Sequence, residues 1–164
     1  MRITARLIAI GLLLTMSVFA QQKVTRYTPI AKSQVPSEVI KAFKAAYPRA
    51  SVRGYAKVEV DGKPFYKLET IDGEMHRNIS YAPDGSVAKM EERITANELP
   101  AGAQQAIEGK YPKAKITTAE KVTQGEQISF EVSVKKGGKV FDLKFDADGK
   151  LISAHEVKIK VVAN

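Results

Sequence analysis

The feature that most constrains this chain is a stretch that returns after 64 residues. The segment from Val35-Pro36 to Tyr47-Pro48-Arg49-Ala50 reappears as Leu99-Pro100 through Tyr111-Pro112-Lys113-Ala114. The same offset carries Asp84-Gly85 onto Asp148-Gly149 without a gap. A repeat of this length indicates an internal duplication, so we expect the chain to fold as two similar units.

Eleven positions are identical when residues 35–94 are laid over residues 99–158. Average composition would give roughly four by chance. Most of the eleven fall at helix ends, turns and core positions, where geometry restricts the residue type. In the first copy they are Pro36, Ala42, Tyr47, Pro48, Ala50, Lys57, Val58, Gly73, Asp84, Gly85 and Glu92.

Each copy opens with a helical pattern. Pro36 supplies a φ angle suited to the first turn of a helix, and apolar residues recur with helical spacing from Val39 to Ala46. Pro48 ends the helix, because the residue before a proline is pushed out of the α region. The helix of the second copy has prolines at the matching start and end positions. Gly102 and Gly109 each cost about 1 kcal/mol in a helix interior, so this helix depends more on packing.

After each helix the apolar period falls to two, which is typical of strands. The strands of the first copy are expected from Val52 to Val60 with one slip or bulge, then around Tyr66–Thr70, Met75–Tyr81 and Val87 to about Ile94. Those of the second are expected at Ile116–Thr123, Ser129–Val134, Lys139–Phe145 and Leu151–Val162. Asp-Gly pairs between them predict hairpin turns. The copies disagree on which parity of the fourth strand is apolar, so that face stays unassigned.

The sequence therefore predicts an α+β fold with two tandem repeats, each a helix plus a four-stranded antiparallel sheet, and the helices packed on one face of the sheet. The predicted organisation is a signal peptide at 1–20, a leader at 21–34 with a short edge strand from Lys23 to Tyr27, a first repeat at 35–94 and a second at 95–164. Only Thr95 to Glu98 separates the repeats, which is too short for independently tumbling domains.

Residues 1–20 have the composition of an export signal. Arg2 and Arg6 precede an apolar run from Leu7 to Phe19, and the small residues of Val18-Phe19-Ala20 predict cleavage after Ala20. The alternative is a membrane anchor, but the apolar run is shorter than the ~20 residues that a membrane-spanning helix needs. We expect a periplasmic or secreted protein with no stable membrane insertion after cleavage.

Composition narrows the chemistry. The chain has no cysteine, which excludes thiol catalysis, cysteine-ligated zinc and disulfide bonds. Its formal net charge of +8 falls to +6 when Arg2 and Arg6 are removed with the signal. Because an exported protein rarely meets nucleic acid, this charge predicts an acidic protein partner or an anionic envelope surface, with a merely solvated surface as the alternative.

No motif predicts a metal, a cofactor or a catalytic group. Asp146-Ala147-Asp148-Gly149 resembles the start of a calcium loop, but Lys150 and Val157 stand where the fifth and twelfth positions need ligands. His76 and His155 do not correspond in the repeat and lack a matched carboxylate. Turn chemistry and exposed strand histidines account for these residues, and nothing requires an enzyme.

Two further matched pairs also have structural explanations. Tyr47 and Tyr111 end an apolar helical stripe, which is typical of core residues with the hydroxyl at the rim, although a ligand platform is the alternative. Glu92 and Glu156 are expected to pair with a nearby lysine or arginine.

The order of these motifs resembles a known family. A Val/Leu-Pro opening, Tyr-Pro-x-Ala, and then Tyr81-x-Pro-Asp-Gly85 or Phe145-Asp-Ala-Asp-Gly-Lys150 are similar to the exported PepSY-like proteins that share the beta-lactamase inhibitory protein fold. The likeness covers about residues 35–160. It implies a non-catalytic periplasmic or secreted module that offers a sheet face to a protein partner. Relatives have been connected with restraining other exported proteins, including peptidases, and the family has no agreed catalytic residues.

A candidate contact surface follows from the strand alternation. If Ala56, Val58, Tyr66 and Leu68 point to the helix, the opposite face carries Tyr55, Lys57, Phe65, Lys67, His76 and Asn78. Aromatic side chains flanked by basic and amide groups are favoured at protein interfaces. We predict that these six residues bind the partner, with a solvated sheet face as the alternative.

The predicted function is an exported non-catalytic protein-binding module that inhibits or regulates another envelope protein, such as a peptidase. The expected partner is an exported or membrane-associated protein. The alternative is a periplasmic small-ligand carrier or a structural envelope-stress protein.

Overall fold

The computed structural model describes residues 24–158, which form two helices and nine strands. The helices are α1 (Ser37–Ala46) and α2 (Ala101–Lys110). The strands are β1 (Val24–Pro29), β2 (Ser51–Val60), β3 (Lys63–Asp72), β4 (Met75–Tyr81), β5 (Val87–Arg93), β6 (Lys115–Gln124), β7 (Gln127–Lys136), β8 (Lys139–Asp146) and β9 (Leu151–Glu156). The predicted signal peptide and the predicted continuation of the last strand to Val162 lie outside the described residues.

The nine strands form one antiparallel sheet in chain order, β1 to β9. The strands predicted for each repeat are thus joined into one continuous sheet. Strand β5 pairs with β6, with Glu92 opposite Lys121, so the last strand of one repeat is bonded to the first strand of the next. Strand β1 adds a ninth strand at the predicted edge position. Pairing at the junction satisfies backbone groups that two separate sheets would leave at exposed edges.

The duplication extends to the irregularities of the backbone. The β2–β3 register shifts between Val52 and Gly54, and the β6–β7 register shifts between Ile116 and Thr118. The shift between Ser80 and Tyr81 likewise returns between Lys144 and Phe145. Each pair is separated by the repeat offset, so the two units share bulges as well as elements. We refer to residues 24–94 as the first unit and residues 95–158 as the second.

Both helices pack on the same face of the sheet. In the first unit Val39 and Phe43 of α1 form a core with Leu68, Ile79 and Tyr81. In the second unit α2 packs on the matching strands through Ala103, Ile107, Phe130, Val132 and Leu143. The row Arg77, Glu92, Lys121 and Phe130 runs across four paired strands and links the two cores on this face, because directly opposed residues share a face.

The Asp-Gly turns after β4 and β8 pack against the helix starts. A Cβ on Gly85 would lie 2.8 Å from the Glu38 carbonyl oxygen, and one on Gly149 would lie 2.5 Å from the Ala103 nitrogen. Both glycines also have positive φ angles. Only glycine fits such an approach, which explains why this turn is identical in the two copies.

The two glycines of α2 are not equivalent. A Cβ on Gly102 would lie 2.9 Å from the Asp148 carbonyl oxygen, whereas one on Gly109 would meet nothing within 4 Å. Gly102 is therefore required for the turn to reach the helix, while Gly109 only weakens the helix.

Matched positions also show how the units have diverged. Arg77 Nε donates to Glu92 Oε1 at 2.7 Å, and its guanidinium lies 5.4 Å from the Tyr47 ring centroid. The counterparts of Tyr47 and Arg77 are Tyr111 and Phe141, whose ring centroids are 4.9 Å apart. Glu156, the counterpart of Glu92, accepts a hydrogen bond from Lys139 at 3.1 Å. Both glutamates are therefore paired as expected.

Candidate partner-binding surface

The sheet face opposite the helices carries no helix in residues 24–158, and we call it the open face. In the first unit its charged and polar residues include Lys63, Lys67, Glu69, His76, Asn78, Ser80, Lys89, Glu91 and Arg93. Four of the predicted contact residues belong to it: Phe65, Lys67, His76 and Asn78. They lie on the neighbouring strands β3 and β4, where Glu69 is directly opposite Asn78.

Tyr55 and Lys57 do not share that face, and their placement in the prediction is wrong. Tyr55 lies directly opposite Leu68 and packs against the first core, and Lys57 lies opposite Tyr66. The physical reason is the register shift between Val52 and Gly54, which reverses the alternation of β2 relative to the pattern read from the sequence.

Ala56 and Val58, which the sequence placed toward the helix, therefore lie on the open face. Val58 is directly opposite Phe65 on one side and Tyr27 on the other. A line of apolar residues thus crosses β1, β2 and β3 on the open face. We call it the apolar row, and its members are Tyr27, Val58 and Phe65. Tyr27 is 51% exposed. Tyr27 is not among the predicted contact residues, because it falls in the predicted leader, where the short edge strand is the only sequence signal.

Tyr27 is tied to the open face across the bulge of β2. Its hydroxyl donates to Glu69 Oε1 at 3.1 Å. Burial, the hydrogen bond to Glu69 and the charge of that carboxylate raise the pKa of Tyr27 above its usual value. The Glu69 carboxylate lies over Gly54, where a Cβ would be only 3.0 Å from Oε2. A glycine at the bulge therefore allows the edge strand to be fastened to β3.

A half-buried group of ion pairs lies beside the apolar row. Glu91 on β5 pairs with Lys67 Nζ at 3.2 Å and with Lys89. Burial alone would raise the pKa of the Glu91 carboxyl, but the hydrogen bond and charge of Lys89, together with Lys67, hold it below its usual value. Burial alone would lower the pKa of Lys89, but the hydrogen bond and charge of Glu91, with the charges of Glu131 and Glu120, raise it above its usual value. These charges are fixed to one another and give the surface a definite pattern.

Glu120 lies among both like and opposite charges on this face. It lies directly opposite Glu131 on β7 and opposite Arg93 on β5. Burial raises the pKa of Glu120 above its usual value, and the charges of Glu91 and Glu131 add to the rise, while Arg93 and Lys67 oppose it. Like charges directly across an antiparallel pair destabilise it.

A polar hollow lies where the two units join. Its volume is about 160 Å³, and its lining consists of Arg53, Glu69, Thr70, His76, Arg77, Asn78, Arg93 and Glu120. We call it the junction hollow. His76 and Asn78, two of the predicted contact residues, are part of it. Among residues 24–158, no group of three or more histidine, aspartate and glutamate side chains is arranged to hold a metal ion.

A second hollow lies beside α2, and we call it the α2 groove. Its volume is about 310 Å³, and its lining consists of Ala96, Asn97, Gln104, Ile107, Glu108, Tyr111, Lys113, Ala114 and Ile116. The first unit carries larger apolar residues at two matching positions, Ile40 in place of Gln104 and Phe43 in place of Ile107. The α2 groove therefore lies where the side chains of the second copy differ from those of the first.

The family profile of beta-lactamase-inhibitor-like, PepSY-like proteins matches residues 21–89 and again residues 66–153. The chain belongs to the PepSY-like family. The resemblance seen in the sequence is thus confirmed, including its occurrence twice in the chain. No protein with a curated description matches the chain significantly.

Three solved structures from Bacteroides are similar to this PepSY-like chain. A protein of Bacteroides eggerthii described as a candidate periplasmic protein has 19% identity and a TM-score of 0.64, covering 74% of this chain and 88% of its own. A DUF2874 family protein of Bacteroides uniformis has 18% identity and a TM-score of 0.62 over the same shares. A BLIP-like protein of Bacteroides fragilis has 20% identity and a TM-score of 0.58, covering 79% and 92%. At these identities the likeness shows the fold alone.

Within the part of this PepSY-like chain that the structure describes, neither helix is long and apolar enough to cross a membrane.

Proposed function

We propose that this PepSY-like protein is an exported, non-catalytic module that binds another envelope protein through the open face of its sheet. The binding restrains or regulates that partner, for which an exported peptidase is one candidate class. Export is supported by the signal-like residues 1–20 and by the periplasmic description given to a protein of the same fold.

The observation that carries this proposal is the composition of the open face in the first unit. The apolar row of Tyr27, Val58 and Phe65 lies next to the fixed charges of Lys67 and Glu91. Aromatic groups beside ordered charges are typical of interface centres, where the aromatic side chains provide affinity and the charges provide specificity. A face used only for solvation has no need of an exposed tyrosine fastened across a neighbouring strand.

The test is capture of partners on the immobilised mature protein from envelope extracts, compared among variants. Phe65→Ala removes a partly buried ring from the apolar row without reaching either core. Ile128→Ala is the matched control, because Ile128 is an exposed apolar residue that lies opposite Thr123 on the helix-bearing face. We expect a protein that is retained by the wild type and by Ile128→Ala and is lost with Phe65→Ala. Equal retention by all three would contradict the proposal.

A second candidate, small-ligand carriage, is favoured by the volume of the α2 groove, which reaches the lower end of the ~300–1,000 Å³ of ligand sites. The first unit supplies the test. The double variant Gln104→Ile and Ile107→Phe introduces the first unit's own residues and fills the groove. Carriage predicts that a small molecule co-purified with the wild type, seen by native mass spectrometry, is absent from the filled variant. The same molecule bound to both proteins would exclude the groove.

A further inference from the structure

We propose that the junction hollow receives a carboxylate of the partner, so that the segment contacting the first unit is acidic. This inference rests on the proposed function, since it gives the chemistry of a ligand for the same face. It extends that proposal from the apolar row to a defined pair of arginines, Arg53 and Arg93.

The two arginines are the available cations of the hollow. Arg53 lies at the bulge of β2 and Arg93 at the end of β5, and both are exposed. Within residues 24–158 neither guanidinium is within salt-bridge distance of a carboxylate, whereas the Arg77 side chain lies on the helix-bearing face and pairs there with Glu92. A guanidinium presents a planar fork of donors that matches both oxygens of a carboxylate. Two such forks at one hollow suit a carboxylate better than they suit a neutral group.

The two carboxylates of the lining, Glu69 and Glu120, have neighbours within the protein. Glu69 accepts the hydrogen bond of Tyr27 across the bulge. Glu120 faces Arg93 across the junction and is crowded by Glu91 and Glu131. Asn78, which lines the same hollow and is partly buried, adds a side-chain amide that can donate to a carboxylate oxygen.

The charge of the open face changes sign between the units. In the first unit the cations Arg53, Lys63, Lys67, Lys89 and Arg93 face the carboxylates Glu69 and Glu91. In the second unit the cations Lys115, Lys135 and Lys144 face Glu120, Glu131, Asp142 and Asp146. An acidic segment is therefore attracted to the first unit and not to the second. The positive net charge of the chain acts in the same direction at long range.

The test uses a defined probe, a short acetylated and amidated peptide of alternating glutamate and serine, titrated into the ¹⁵N-labelled mature protein. We expect saturable shifts of the signals of residues at the junction hollow, and binding that weakens as salt is added. Arg53→Gln with Arg93→Gln should weaken binding by at least about tenfold, the loss expected for charge-assisted hydrogen bonds. Lys135→Gln with Lys136→Gln is the matched control, because it removes the same charge from exposed residues at the end of β7.

The proposal is overturned if the glutamate peptide does not bind, if it binds elsewhere, or if both double variants weaken it equally. It is also overturned if the corresponding lysine and serine peptide binds the hollow, which would assign the site to a cation at Glu69 and Glu120. The outcome is separable from that of the proposed function. If the partner is lost with Phe65→Ala and the glutamate peptide does not bind the hollow, only the carboxylate inference is removed. Peptide binding at the hollow with partner retention unchanged by Phe65→Ala removes the proposed role of the apolar row.

Discussion

Replacing Tyr81 by phenylalanine should stabilise the protein. Tyr81 is 1% exposed and lies in the first core with Val39 and Leu68. Its hydroxyl is buried and has no hydrogen-bond partner among residues 24–158. The duplicated unit carries Phe145 at the matching position, equally buried in the second core. The second copy therefore shows that the site accepts a phenyl ring without the oxygen.

The magnitude follows from the cost of the unsatisfied hydroxyl. Burying such a group without a partner costs about 1–3 kcal/mol, and Tyr81→Phe removes this cost while keeping the packed ring. We expect a gain of about 1 kcal/mol in the free energy of unfolding, or a rise of about 3 °C in Tm for a chain of this size.

The assay is urea unfolding of the mature protein followed by circular dichroism, with Phe145→Tyr as the reciprocal control. Phe145→Tyr should destabilise by a similar amount, since it buries a new hydroxyl in the second core. A Tyr81→Phe variant that is less stable than the wild type would refute the reasoning, because it would show that the hydroxyl stabilises the folded protein.

The same hydroxyl gives a signature in alkaline solution. Burial, with a smaller effect of Tyr47, raises the pKa of Tyr81 from 10.0 to about 12. Between these values the unfolded chain loses the proton while the folded protein keeps it, so stability falls as pH rises, by about 1 kcal/mol per pH unit. Below pH 10 the hydroxyl keeps its proton in both the folded and the unfolded chain, so this loss of stability is absent. The advantage of Tyr81→Phe over the wild type should therefore widen from pH 10 to pH 12.

Two further predictions concern α2 and the ion pairs of the open face. Gly109→Ala should stabilise the protein by about 1 kcal/mol, because alanine has the higher helix propensity and its Cβ would meet no neighbour. Gly102→Ala should destabilise the protein, because its Cβ would press on the Asp148 carbonyl oxygen. Thermal unfolding of the two variants tests this difference, and equal effects would contradict the distinct roles of the two glycines. Glu91→Gln should cost about 1–2 kcal/mol by leaving Lys67 and Lys89 without their carboxylate. Because the pKa of Glu91 is lowered in the fold, this cost should be full above the ordinary value of 4.5 and should shrink as pH falls through the lowered value, so a cost that grows in acid would exclude the pairing.

The elements of the fold could be predicted because the duplication provides each signal twice. Helix ends at Tyr47 and Tyr111, hairpins at Asp-Gly pairs and the bulge in the first strand all follow from local chemistry, which is repeated at a fixed offset. The pairing of β5 with β6 could not be predicted in register, since backbone hydrogen bonds between strands far apart in the chain leave no periodic signal in the sequence.

The face of each strand was harder to predict than its position. The shift between Val52 and Gly54 reverses the alternation of β2, which moved Tyr55 to the helix side and Val58 to the open face. A related shift between Lys144 and Phe145 explains why the fourth strands showed no single apolar parity, because Leu151 and Ala154 both pack on the second core. Period alone locates a bulge poorly, so residues beyond it are assigned to the wrong side.

The proposed surface depends on two copied units bonded into one sheet, because only then does Glu120 of the second unit line the same hollow as Arg53 and Arg93. The most direct measurement is a set of cross-strand NOEs between β5 and β6 in the labelled mature protein. We expect contacts that place Glu91 opposite Val122 and Glu92 opposite Lys121. Their absence, with each unit showing only its own strand pairs, would contradict the fused sheet and the surface built on it.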